Sequence, residues 1–269
     1  MGSGGSRRAL LVATVGRSMK ALFLDIETAP HKGYFWGLFN QNISIQQIVE
    51  SGYTLCFAAR WLGTKQILYR SVHHDGRKRM LRATHALLSE ADVVVHYNGR
   101  KFDIPVLNKE FLLESMAPPA PFLQLDLLSV VRKNFRLASN KLDYVGRFLG
   151  VGSKVEHRGM EMWAGCMDGD DRAWEDIRRY NRGDVRLLEK VYYRVLPWIA
   201  EHPTLRACTE EGARVCPACG GFRVRRRGFY HTKVLRYQRY QCQECGAWSR
   251  GSKADTTKLE RTYKLRSVV

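Results

Sequence analysis

The sequence predicts an α/β fold, a mixed sheet flanked by helices, followed by a small cysteine-bearing β-hairpin module. Three observations predict it. Apolar runs of strand length alternate with stretches of helical periodicity between residues 22 and 199. The first of these strands ends in an acidic pair, as strands do where α/β sheets build their sites. From Arg206 onward the composition changes: 15 Lys and Arg stand against 5 Asp and Glu in 64 residues, around two C-x-x-C-G sequences. A chain of 269 residues, 45% of them hydrophobic, has material for one sizeable core and a small appendage.

The elements follow in order. Residues 22–28, Leu-Phe-Leu-Asp-Ile-Glu-Thr, read as a buried strand that runs out of apolar residues. Residues 29–52 read as irregular, with Tyr34, Phe35, Trp36 and Phe39 clustered in them. Strands are expected at 53–61 and 66–72 across a glycine-containing turn, then a helix at 77–90 with Met80, Leu81, Leu87 and Leu88 in helical spacing. The apolar strand 92–96 runs into Tyr97-Asn-Gly-Arg-Lys-Phe-Asp103, where Asn-Gly marks a tight loop. Pro105 suits the first turn of the helix after it. A strand at 122–125, helices from Leu127 and Leu142, and a long helix over 170–199 complete the order. Asp126 and Asp143 in this region are read as structural.

Two features of this order point to chemistry. Strand side chains alternate faces, so Asp25 and Glu27 share one. Buried carboxylates repel each other, and a hard divalent cation with a taste for oxygen ligands is the usual reason to keep them together. The long helix carries the stripe Ile177, Tyr180, Asp184, Leu187, Val191, Val195, Trp198, stepping by three or four. An acid on that core-facing stripe is costly unless it meets a cation, so Asp184 is a site signal. Asp103 follows a strand of the same sheet, where it can cap a helix or reach a site.

Asp25-x-Glu27, Asn98-x-x-x-Phe-Asp103 and Tyr180-x-x-x-Asp184, in this order, resemble the three motifs of the DnaQ-like 3′–5′ exonucleases of the ribonuclease H-like superfamily. The Tyr-x-x-x-Asp form is similar to the tyrosine (DEDDy) branch, since Arg179 stands where the other branch needs histidine. The resemblance covers about residues 19–200 and implies a ribonuclease H-like mixed sheet and two Mg²⁺ or Mn²⁺ ions. Asp25, Glu27 and Asp184 would hold one, Asp25 and Asp103 the other. Paired ions suit phosphodiester hydrolysis because charge builds on both the attacking and the leaving oxygen. Tyr180 would orient the attacking water. Thr28 and Asn98 would touch the terminal nucleotide, with Arg100 and Lys101 near phosphates.

Cys216-Pro-Ala-Cys219-Gly and Cys242-Gln-Glu-Cys245-Gly, with 22 residues between the two cysteine pairs, suit a closed tetrahedral site for one structural Zn²⁺. The intervening strands, 222–227 and 233–241 joined at Gly228, resemble a zinc ribbon. Arg223, Arg225 and Arg227 alternate on the first strand; Lys233, Arg236 and Tyr237 follow on the second. Cations for phosphates beside aromatic faces for bases make a nucleic-acid surface. The other cysteines, Cys56, Cys166 and Cys208, read as small packing residues in a reducing compartment rather than disulfide partners.

The expected organisation is an extension at 1–18 (disordered, with Met19 as an alternative start), a nuclease domain at 19–200, a linker at 201–213, the ribbon at 214–250 and a basic tail at 251–269. No apolar run reaches membrane-spanning length, and a formal net charge of +18 favours a polyanion. The expected protein is a monomeric 3′–5′ exonuclease acting on nucleic acid in replication or repair, DNA ahead of RNA. Its expected setting is the cytoplasm of a bacterial cell, with a phage gene as an alternative source. Two other functions stand beside this one: a nuclease cutting branched or flapped DNA internally, and a non-catalytic adaptor on a nuclease fold.

Overall fold

The computed structural model of the chain describes residues 19–37, 39–40, 42–200, 202–203, 214–232 and 235–255. The expected N-terminal extension, most of the linker, Cys208, Lys233 and the chain beyond Asp255 lie outside the described residues.

Strand β1 (Ala21–Thr28) leads into a two-stranded ribbon, β2 (Lys32–Gly33) and β3 (Ile48–Glu50), in the stretch expected to be irregular. Then come β4 (Thr54–Trp61), β5 (Leu68–Ser71), the single turn α1 (Val72–Asp75) and α2 (Arg77–Glu90). The Ser71 hydroxyl accepts the His74 N–H and starts α1, which ends the strand earlier than expected. Next are β6 (Val93–His96), α3 (Asp103–Leu113), β7 (Leu123–Asp126), α4 (Leu127–Asn134) and α5 (Leu142–Phe148). Helices α6 (Met160–Met167) and α7 (Asp171–Val195) follow; α6 has no counterpart in the sequence reading.

The five-stranded sheet has the order β5-β4-β1-β6-β7. The β4 strand runs antiparallel to both of its neighbours, whereas β1, β6 and β7 are parallel. Central β1 is buried on both faces. Leu22, Leu24 and Ile26 pack with residues of α2 and α3, while Ala21 and Phe23 pack with the buried stripe of α7. Period two therefore delivers Asp25 and Glu27 to the α7 side.

In α7 the side chain of Asp170 accepts the Arg172 N–H as N-cap, and the predicted stripe is buried from Ile177 through Val195. Trp198 departs from expectation. The α-helix stops at Val195, and Leu196–Trp198 form one 3₁₀ turn in which Pro197 has no N–H to continue the ladder. That turn leaves Trp198 55% exposed.

The second sheet has three strands, β8 (Val224–His231), β9 (Arg236–Cys242) and β10 (Trp248–Ala254), in the order β10-β9-β8. Gly228 does not make the hairpin turn. It sits at φ +71° in an irregularity between Arg226 and Phe229, and the chain reverses later, where Thr232 N–H donates to Leu235 O. Strand β10 extends past the expected ribbon boundary into the expected tail; its Ser, Gly and Lys give a weak strand signal in the sequence. Cys216, Ala218, Cys242 and Ala247 join the same buried cluster as Tyr192, Leu196 and Ile199, so the ribbon caps the C-terminal end of α7.

Helix α5 approaches α7 closely at Gly146, where an added Cβ would lie 2.7 Å from Gly152 O and 2.7 Å from Leu187 Cδ1. Gly146→Ala is expected to destabilise the protein by about 1–3 kcal/mol through overpacking, outweighing a helix-propensity gain of about 1 kcal/mol. Urea denaturation of the two proteins checks the sign.

Candidate active site

Asp25 and Glu27 leave the end of β1 on its α7 face, and Asp184 meets them from the buried stripe of α7. One carboxylate oxygen from each lies within 4.8 Å of the other two. Asp103 comes from the first turn of α3 and turns back to β1, where its Oδ1 accepts the Ile26 N–H at 3.3 Å. The structure thus gathers the first three acids in one cluster and sets the fourth against the backbone of the same strand.

Four side chains absent from the sequence reading complete the site. Lys154 Nζ donates to the Tyr180 hydroxyl at 2.8 Å and to Asp184 Oδ2 at 2.6 Å. Asn181 Nδ2 donates to Asp25 Oδ2 at 2.7 Å, and Trp163 Nε1 donates to Glu27 Oε2 at 3.3 Å. The His157 ring meets Tyr180 edge-on, with centroids 4.8 Å apart. Asn181 was within reach of the sequence, because it lies on the same buried stripe as Asp184. Lys154 and His157 stand in an aperiodic loop, and Trp163 in a short helix without strong patterning, so no local rule singles them out.

Burial sets the electrostatics. Removal from water, followed by the charge of Asp184, pushes the Glu27 carboxyl up to about 8. Asp103 rises to about 7, chiefly by burial. Asp25 is raised well above the carboxylate range by burial and then by Asp184, Glu27 and Asp103. Asp184 is raised by burial against the opposing pull of Lys154. For Lys154, burial disfavours the ammonium but the Asp184 carboxylate outweighs it and holds the proton on. Tyr180 is pushed up to about 12 by burial and the Asp184 charge, which keeps its phenol neutral near pH 7.

Among the described residues, four acids share one ammonium, and Asp184 Oδ1 is buried without a hydrogen bond. Such a cluster must either take up protons or hold cations, and a set of carboxylate oxygens suits Mg²⁺ or Mn²⁺. The donor set fits the divalent ions that the resemblance implies.

Beside the acids opens a cleft of about 630 Å³ lined by Asp25, Asn98, Arg132, Lys141, Lys154 and Tyr180 among others. Asn98, at φ +69°, lines it, and its N–H donates to Asp126 Oδ1 at 2.9 Å. Asp126 also caps α4 through the Leu128 N–H, and Asp143, which lines the cleft, accepts the Lys154 N–H. Thr28 ends β1 opposite Thr54, outside the cleft lining. Arg100 donates to Gln124 O, and neither it nor the exposed Lys101 lines the cleft.

At the end of the second sheet the Sγ atoms of Cys216, Cys219, Cys242 and Cys245 lie within 4.8 Å of one another, an all-sulfur set suited to Zn²⁺. Cross-strand register places Arg225 opposite Gln241 and Tyr230 opposite Tyr237, on one face with Arg239, Trp248 and Arg250. Arg223 lies 3.8 Å from Glu244, and Arg236 pairs with Asp255 at 3.0 Å. Arg225 and Arg227 make no ion pair among the described residues.

No curated protein matches the chain. Among solved structures, the fold is similar to that of the family B DNA polymerase from the hyperthermophilic archaeon Pyrobaculum calidifontis. The TM-score is 0.52 and the identity 18%, over 67% of this chain and 25% of the polymerase. The chain therefore spans a quarter of that polymerase, and at this identity the likeness concerns the fold. The family model of the RNase H superfamily matches residues 22–196, the stretch holding the five-stranded sheet, all four acids and α7. Matched over more than half its length, the chain belongs to the RNase H superfamily.

Proposed function

We propose that the protein is a metal-dependent 3′–5′ exonuclease of the tyrosine branch that shortens nucleic acid, DNA ahead of RNA. The observation that carries this reading is the convergence of Asp25, Glu27 and Asp184 beside the hydroxyl of Tyr180. Asp25, Glu27 and Asp184 would hold one divalent ion, and Asp25 with Asp103 a second. Mg²⁺ or Mn²⁺ bound there supplies charge stabilisation for both oxygens of the displacement. The chain's own residues do the positioning. Neutral Tyr180, with one lone pair engaged by Lys154, keeps its O–H and second lone pair to orient the attacking water rather than deprotonate it. Lys154 also fixes the rotamer of Asp184, and Asn181 that of Asp25. The cysteine cluster would hold a structural Zn²⁺, and the basic, aromatic face of the second sheet would grip the substrate backbone.

A second reading, cutting at forks or flaps, has one observation in its favour. The β2–β3 ribbon leaves directly from the acid-bearing strand and displays Tyr34 and Trp36 at 77% and 98% exposure, as a wedge between paired strands would. End-labelled linear and forked DNAs separate the readings, since stepwise shortening from the 3′ end supports the first.

Asp25→Asn is expected to abolish hydrolysis in Mg²⁺ while raising thermal stability without metal, because an amide can never ionise beside Glu27 and Asp184, whereas burial and those acids make ionising Asp25 costly. Undiminished cleavage by this variant would refute the site. Lys154→Met is expected to lower turnover about 10- to 100-fold, the usual effect of losing a group that orients a metal ligand.

The raised carboxyls also set a pH dependence. Unfolded, these groups titrate near pH 4, whereas Glu27 and Asp103 in the fold titrate near about 8 and about 7. Between those values the unfolded chain binds fewer protons, so the metal-free protein loses stability as pH rises from about 4 to 8. Mn²⁺, competing with protons for the acids, is expected to raise Tm more at pH 8 than at pH 5. Equal shifts at both pH values in scanning calorimetry would count against metal at these carboxylates.

Because the ribbon shares a core with α7, its role is better tested by point substitution than by truncation. Arg225→Ser with Arg227→Ser is expected to flatten the dependence of log K on log salt by about 0.7 for each phosphate of a single strand that is no longer neutralised. An unchanged slope in fluorescence anisotropy would remove these residues from the interface.

A further inference from the structure

Where the ribbon meets the end of α7 there is a second pocket of about 590 Å³, separate from the acid cleft. Trp198, Tyr230 and Trp248 form aromatic walls, and Arg239 and Arg250 reach into it from β9 and β10. All three aromatics are substantially exposed, with Trp198 held edge-on against Phe135 at a centroid distance of 5.2 Å. The two arginines occupy directly opposite positions of neighbouring strands. Like charges in that relation repel and cost stability. No carboxylate pairs with either guanidinium among the described residues. Arg239 lies 4.8 Å over the Trp248 ring and donates to Arg227 O, while Arg250 lies 4.1 Å over Tyr237 and donates to Gly251 O. These contacts hold the pair in place without neutralising it.

The two guanidiniums are exposed and without a carboxylate partner among the described residues, so they offer bidentate donors to an anion, and the walls offer faces to a planar ring. A nucleotide offers both: the phosphate matches guanidinium forks, and the base matches indole and phenol faces. A volume of this size is in the range of small-molecule sites. We propose that this pocket is a nucleotide subsite that grips the substrate strand at a second point, away from the acids. The proposal rests on the nuclease reading only in that the strand filling the pocket is the one being cut. The distance between the two points follows from α7. Asp184 and Trp198 are 14 residues apart along the helix and its final turn, about 20 Å at 1.5 Å per residue. A strand must then reach about six stacked nucleotides, at 3.4 Å each, before it engages both.

The test uses the full-length Asp25→Asn protein, in which binding is measured without hydrolysis, with oligothymidylates of three to twelve nucleotides, free at the 3′ end and labelled with fluorescein at the 5′ end, in zinc-replete buffer. Affinity is expected to step up at least about 10-fold near six nucleotides. Trp198→Ala and the double variant Arg239→Gln, Arg250→Gln are expected to lose that step, weakening the twelve-mer about 5- to 100-fold. Trp198→Phe, which keeps a stacking face, is expected to retain most of it. Near-UV circular dichroism and Tm establish that each variant is folded. A length step of the same size in all variants would overturn the proposal. So would saturable binding of free thymidine monophosphate in the pocket with no effect of the substitutions on the twelve-mer, which would make it a site for free nucleotide. Absence of cleavage by the protein with Asp25 intact would refute the nuclease reading and leave the binding result standing, so the two failures are distinguishable.

Discussion

Four carboxylates gathered at the end of one strand against a single ammonium is the constraint on which this structure turns. Removing an ionised carboxylate from water is expensive, and placing it beside others compounds the cost. The fold meets that cost with a rigid frame. β1 is held on both sides by paired strands and on both faces by apolar clusters, and α7 presses twelve buried side chains along its length. Stability from Leu22, Phe23, Leu24, Trp174, Ile177 and Val191 keeps repelling groups together that would otherwise separate. Sites of this kind accept local destabilisation because their chemistry needs the charge in place.

How much of this is legible in the sequence depends on periodicity. Asp25 and Glu27 declare themselves by alternating along an apolar strand, and Asp184 by standing on a core-facing stripe. The sheet elements and the long helix follow from the same two periods. Lys154 gives no such signal. Its importance comes from a loop that folds back over α7, and its partner Asp184 is 30 residues away. Trp163 reaches Glu27 across 136 residues, a separation no local pattern encodes. Trp198 misleads for the converse reason: the period extends to it, but Pro197 ends the helix first.

The cysteine module shows the same division. C-x-x-C-G spacing is enough to bring four sulfurs together, because a knuckle is a local turn. Its docking is not legible, since Cys216 and Cys242 share a buried cluster with Leu196 and Ile199, residues that lie outside the module in the sequence. What reads in sequence as a basic appendage on a linker is, in the structure, part of the principal core.

That docking covers the far end of the helix carrying Tyr180 and Asp184 with the module that holds the four sulfurs. The acid cluster lies about three turns from that end along a continuously buried stripe, so the packing of the ribbon and the placing of Asp184 depend on one and the same helix.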